Sequence, residues 1–209
     1  MSPGRLEIFS DAVLAVAITL LALNLMVAGP GHGPLASLLF HEWQACAAYV
    51  ISFFTIGIVW MNHHALLSAI EAVNRSLMFF NLVLLMFVVA IPVATRLLAD
   101  YLPVGGSGAQ AAAVVYGVVL EGMSVGFVLM TEWMLREGRT QPPIPRHRVW
   151  ASRRRYYVAP LLYLAIIGFA FIYPLTALIL SAVVDVYYAF EQTPRRAMGV
   201  IQRGKAGSG

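Results

Sequence analysis

The chain has 209 residues, of which 60% are hydrophobic and only 11% charged, with a mean hydropathy of +0.77. Soluble domains carry about 25% charged residues, so this composition excludes a water-facing globular surface and points to an all-α integral membrane protein. The formal charge of +4 and pI near 9.5 raise the question of nucleic acid, but the basic residues lie between apolar runs rather than on a folded polar domain, so no nucleic-acid partner is expected. The single Cys46 excludes an internal disulfide and a cysteine-based zinc cluster, and reads as a small apolar residue.

A bilayer core of about 30 Å takes roughly 20 apolar helical residues to cross. Ala12–Ala28, broken only by Thr19 and Asn24, predicts a first span over 5–28. Ala45–Met61, Leu77–Ala94 and Ala109–Met130 predict spans over 43–68, 74–100 and 108–135, the last with one acid, Glu121. The final run, Tyr156–Phe190, would reach about 52 Å as one helix, too long for a single crossing. Pro174 near its middle lacks the N–H an unbroken helix needs, so the run divides into spans over 152–172 and 174–191 with a tight turn around Ile172–Thr176. The expected architecture is one six-helix transmembrane domain over residues 1–193, followed by a basic, disordered tail over 194–209.

Cation placement supports the same count. Six crossings put the N-terminus, the loops after the second and fourth spans, and the C-terminus on one side; thirteen of the fourteen Lys and Arg residues fall there, with only Arg96 opposite. By the positive-inside rule both termini are cytoplasmic and the protein belongs in the cell membrane. Glu7 and Asp11 occupy the place of a basic signal-peptide start, so the first span is expected to be retained. The longest polar stretch, Leu135–Arg155, reads as a cytoplasmic loop lying against anionic membrane lipid.

Ionisable groups inside a span are costly and mark functional or inter-helix sites. Asp11, about 9 Å of rise beyond Arg5, lies at the inner membrane edge and needs donors; Arg5, Ser10 and the His63-His64 pair are the candidates, with Asn81 as a further inter-helix partner. Adjacent histidines stand about 100° apart on a helix and lack any metal-site spacing, so no metal is expected. Trp60 and Asn62 suit an interfacial helix end, while Glu121 and Asp185 receive no role. The glycine-rich Val104–Gly108 is a flexible turn, because nothing resembles a carbonyl filter loop. No nucleophile with its base, phosphate loop or nucleotide site is present, which excludes an enzyme reading and any cofactor. Val16, Thr19, Leu20, Leu23 and Val27 form one stripe on the first helix, in isolation only an apolar face.

Arg5…Phe9-Ser10-Asp11 followed by Thr19-Leu20-Leu21 resembles the first-helix signature of the transmembrane protein 175 family of cation channels. The resemblance continues with Trp60…His63-His64 at the end of the second helix and Asn81…Leu85…Pro92…Thr95 in the third. Two departures are Val16, where the family's constriction usually has Ile or Leu, and Ala15, where animal members carry Ser.

The resemblance implies a potassium-permeable channel without a carbonyl filter. A chain with one six-helix repeat then assembles as a homotetramer, its first helix lining a central pore. The constriction falls on Val16, Leu20 and Leu23, with Thr19 supplying hydroxyls to the permeation path or to a neighbouring helix. Arg5, Phe9, Ser10, Asp11, Trp60, His63, His64 and Asn81 form the polar network that fixes the first helix against the second and third. Apolar rings block ions by refusing to replace their hydration shell, which gives modest selectivity for potassium over sodium. The competing reading is a proton-coupled transporter or proton-leak pathway in which Asp11, the histidine pair and Glu121 cycle through protonation.

Overall fold

The computed structural model describes residues 2–23, 36, 42–136 and 146–190; of residues 146–152, 155 and 190 it describes the backbone alone. Six helices run through these residues: α1 (Pro3–Ala22), α2 (Trp43–Leu67), α3 (Arg75–Tyr101), α4 (Gly106–Met134), α5 (Arg146–Ala170) and α6 (Pro174–Phe190). Pro3 and Pro174 open their helices at the first position, where the missing N–H leaves no bond unmade. Asn74 caps α3 by accepting from the Leu77 amide at 3.0 Å. Gly105 and Gly106, at φ of 75° and 64°, turn the chain from α3 into α4 through a conformation costly to any residue with a Cβ.

By length and apolarity α2, α3 and α4 each suffice to cross a bilayer, while α5 and α6 contribute shorter apolar stretches, Tyr156–Ala170 and Pro174–Ala189. The long terminal run is indeed divided, with Phe171–Tyr173 between the two helices. One expectation needs correcting: the segment read as loop up to Arg155 is helical from Arg146 onward. Arg153 links this charged stretch to the neighbouring helix. Its Nε and Nη2 each donate to a Glu132 carboxylate oxygen at 2.7 Å, a bidentate pair that ties the start of α5 to the last turn of α4. Residues 24–28 of the expected first span, Val27 included, and the tail over 194–209 lie outside the described residues.

The helices pack α3 on α4 and α4 on α5; α6 packs on α5, α4 and α2; α1 packs on α2 and α3. Without a hydrophobic driving force inside lipid, such contacts depend on close approach. A Cβ on Gly126 would fall 2.9 Å from Leu84 Cα, and one on Gly122 2.3 Å from the Phe87 ring. These two glycines, one turn apart on α4, let α3 come nearly backbone to backbone.

Candidate functional site: the α1 face and its polar anchor

Helix α1 has two faces. Leu6, Ser10, Leu14, Ala17 and Leu21 recur every three or four residues and are buried against the neighbouring helices. On the opposite side Val16 is 55%, Leu20 41% and Leu23 70% exposed. Their angular positions fall within an arc of about 60°, with Thr19 at its border. Thr19 Oγ1 donates to the Val16 carbonyl at 2.8 Å, so its proton is used within the helix and its lone pairs turn outward. The predicted stripe is thus a bare face carrying one acceptor hydroxyl.

The buried side is anchored by polar contacts to α2 and α3. Asn81 of α3 donates through Nδ2 to Ser10 Oγ at 3.0 Å, and Ser10 in turn donates to the Leu6 carbonyl at 2.9 Å. Asn81 Oδ1 accepts from His63 Nε2 of α2 at 2.7 Å. One amide therefore joins three helices, its Nδ2 meeting Ser10 and its Oδ1 meeting His63, with Ser10 Oγ also 3.3 Å from Oδ1. Ser10, His63 and Asn81 are all fully buried, where an unmade hydrogen bond is expensive.

Nearer the surface, two rungs connect α1 to α2. His64 Nδ1 lies 2.5 Å from Glu7 Oε1, and Trp60 Nε1 donates to Asp11 Oδ1 at 3.0 Å. Glu7 and Asp11 are one turn apart on α1, as are Trp60 and His64 on α2, so the two antiparallel helices meet in register. The Trp60 and His64 rings lie 6.3 Å apart, tilted against each other.

The predicted network is therefore assembled differently from the expectation. Asp11 is held by the Trp60 indole and not by Arg5, Ser10, Asn81 or either histidine; His64 takes Glu7, which sequence reasoning passed over although its one-turn spacing from Asp11 was visible. Arg5 and Phe9 do not join. Both stand exposed on the other side of α1, and the Arg5 side chain makes no hydrogen bond or ion pair among the described residues. Among the described residues, no three His, Cys, Asp or Glu side chains are grouped to hold a metal.

A family profile described as the endosomal/lysosomal potassium channel TMEM175 matches residues 5–92, the segment that contains this entire site. A potassium channel of Streptomyces collinus is 39% identical over 193 residues, covering 91% of this chain and 93% of that one. The chain belongs to the TMEM175 family. A potassium channel of Chamaesiphon minutus is 33% identical over 192 residues, covering 89% of this chain and 93% of its own length. The crystal structure of a lysosomal potassium-selective channel TMEM175 homolog from Chamaesiphon minutus superposes with a TM-score of 0.81 at 31% identity, covering 90% of this chain and 97% of that one. An endosomal/lysosomal proton channel TMEM175 of Gallus gallus is 28% identical over 156 residues, but this chain spans only 31% of its length. TMEM175 is a family of ion channels and not of enzymes.

Proposed function

We propose that this TMEM175 chain forms a potassium-permeable channel in the cell membrane, as a homotetramer in which four copies of α1 surround the path. The observation that carries the reading is the division of α1: one side fully packed, the other bare and apolar from Val16 to Leu23, with the outward lone pairs of Thr19 among the apolar residues. Val16, Leu20 and Leu23 would then form stacked apolar rings that exclude ions by dewetting when narrow, with no carbonyl cage. Thr19 offers hydroxyl oxygens to a cation that has shed part of its water. Ser10, Asp11, Trp60, His63, His64 and Asn81, with Glu7, hold α1 at its height against α2 and α3.

Termini on the cytoplasmic side follow from the cation distribution. The proton pathway, which would use Asp11, the histidine pair and Glu121, has one observation in its favour, the likeness to a Gallus gallus proton channel; against it, Asp11 is engaged by Trp60, His64 by Glu7 and His63 by Asn81. Reconstitution into liposomes with a potassium or sodium gradient, alongside native mass spectrometry in mild detergent, tests the reading. Potassium flux from a tetramer is expected; monomers or dimers alone would overturn the assembly, and a protein that passes protons but no potassium would overturn the ion.

A further inference from the structure

We propose that Asp185 of α6 is a proton-binding site in the centre of the bundle, holding its proton while the helices are packed and remote from the α1 face. Asp185 is only 7% exposed and lies about 17 Å along α6 from Pro174 and about 8 Å short of Phe190. Helices α2, α4 and α5 pack against α6, and the groups they turn toward the carboxyl are the Thr55 hydroxyl and the phenols of Tyr116 and Tyr163; Tyr188 of α6 itself stands beside Tyr163. None of these is a cation, and Asp185 makes no ion pair among the described residues.

Proton bookkeeping around the site closes when Asp185 is the acid. Tyr163 donates to Oδ1 at 3.0 Å. Oδ2 meets Thr55 Oγ1, which has a single proton and also lies 2.9 Å from the Ile51 carbonyl of its own helix. With that proton on Ile51, the Thr55 oxygen is an acceptor and Asp185 supplies the donor. The neighbouring hydroxyls run the same way: Tyr116 to Ser52 at 3.1 Å, Ser52 to Thr95 at 2.7 Å, Thr95 to the Ile91 carbonyl at 2.8 Å. Every hydroxyl then donates once, as each could also to a carboxylate, but with Asp185 as the acid no charge is left at this site. A carboxylate in the same place has two hydroxyls and no cation to replace its water, an arrangement that buried carboxylates escape by binding a proton.

Infrared spectroscopy of the protein in liposomes tests this without any measurement of flux. At neutral pH the wild-type spectrum minus that of Asp185→Asn is expected to show the carbonyl stretch of a protonated carboxyl, lost in the variant and shifted by deuteration. Thr55→Val, which removes the acceptor, should move the band to higher frequency, and serves also if Asp185→Asn fails to fold. Carboxylate bands in the difference spectrum, or a band indifferent to Thr55→Val, would overturn the proposal.

Discussion

The Trp60 indole donates to the Asp11 carboxylate at 3.0 Å, joining residues 49 positions apart at the end of α1 that carries the family signature. The carboxylate is met by a neutral donor, and the proposed fastening of α1 makes the strength of that bond the quantity to measure. A double-mutant cycle with Asp11→Asn and Trp60→Phe should return a coupling of about 1–2 kcal/mol, the range of a charge-assisted bond. Melting in detergent measures it. Potassium flux should fall only in proportion to assembled protein; unchanged stability with altered single-channel conductance would refute the fastening role.

Asn81 should be the most sensitive member of the anchor. Replacing it with Leu leaves both Ser10 and His63 buried without their partner, at a cost of about 3 kcal/mol. Ser10→Ala removes one bond and should cost about 1 kcal/mol. Thermal melts that rank Ser10→Ala as the more severe would contradict the arrangement.

Leu23→Ser is expected to raise basal potassium flux more than Val16→Ser. Val is one methylene shorter than Leu, and in the proposed ring of four copies that retreat is repeated on every side. Liposome flux assays compare the two; opening by Val16→Ser with no effect from Leu20→Ser or Leu23→Ser would place the constriction elsewhere.

Gly126→Val should cost about 1–3 kcal/mol by forcing α3 away from α4, since the new Cβ alone meets Leu84 Cα at 2.9 Å. Gly57→Ala provides the control, with nothing within 4 Å of its added methyl. Equal melting temperatures for the two variants would show that the α3–α4 approach is looser than described.

Much of the architecture was legible because it depends on one-dimensional signals. Apolar runs set the helices, and Pro174 marked the break in a run too long to cross once. The α5 start was misplaced because a charged, proline-bearing stretch carries no apolar run to mark it, and the helix begins at Arg146, ahead of the predicted 152. In the anchor, periodicity separated Ser10 from Val16 on α1, but partner choice was beyond it. Ser10 and Asn81 are 71 positions apart, and an indole at a membrane edge reads as an anchor to lipid before it reads as a donor to Asp11. Asp185 had no visible role because its hydroxyl partners come from α2 and α5, each unremarkable alone.

Topology offers a further check. With Cys46 replaced by Ser, a cysteine introduced as Arg146→Cys should resist membrane-impermeant maleimide applied to intact cells and react after permeabilisation. Efficient labelling from outside would invert the orientation.

The two rungs between α1 and α2 limit how α1 is able to travel. Glu7 stands level with His64 and Asp11 with Trp60, so a glide of one turn along α1's own direction would carry Asp11 to the level of Ile56, fully buried and without a donor. A glide the other way would leave Glu7 level with Ser68 and Asp11 with His64, vacating Trp60, and any fraction of a turn breaks both rungs at once. Axial travel is thereby stepped, like a key in a two-pin lock. Motions that keep both pins seated are those that pivot α1 about its signature end, and these displace Leu23 most and Phe9 least.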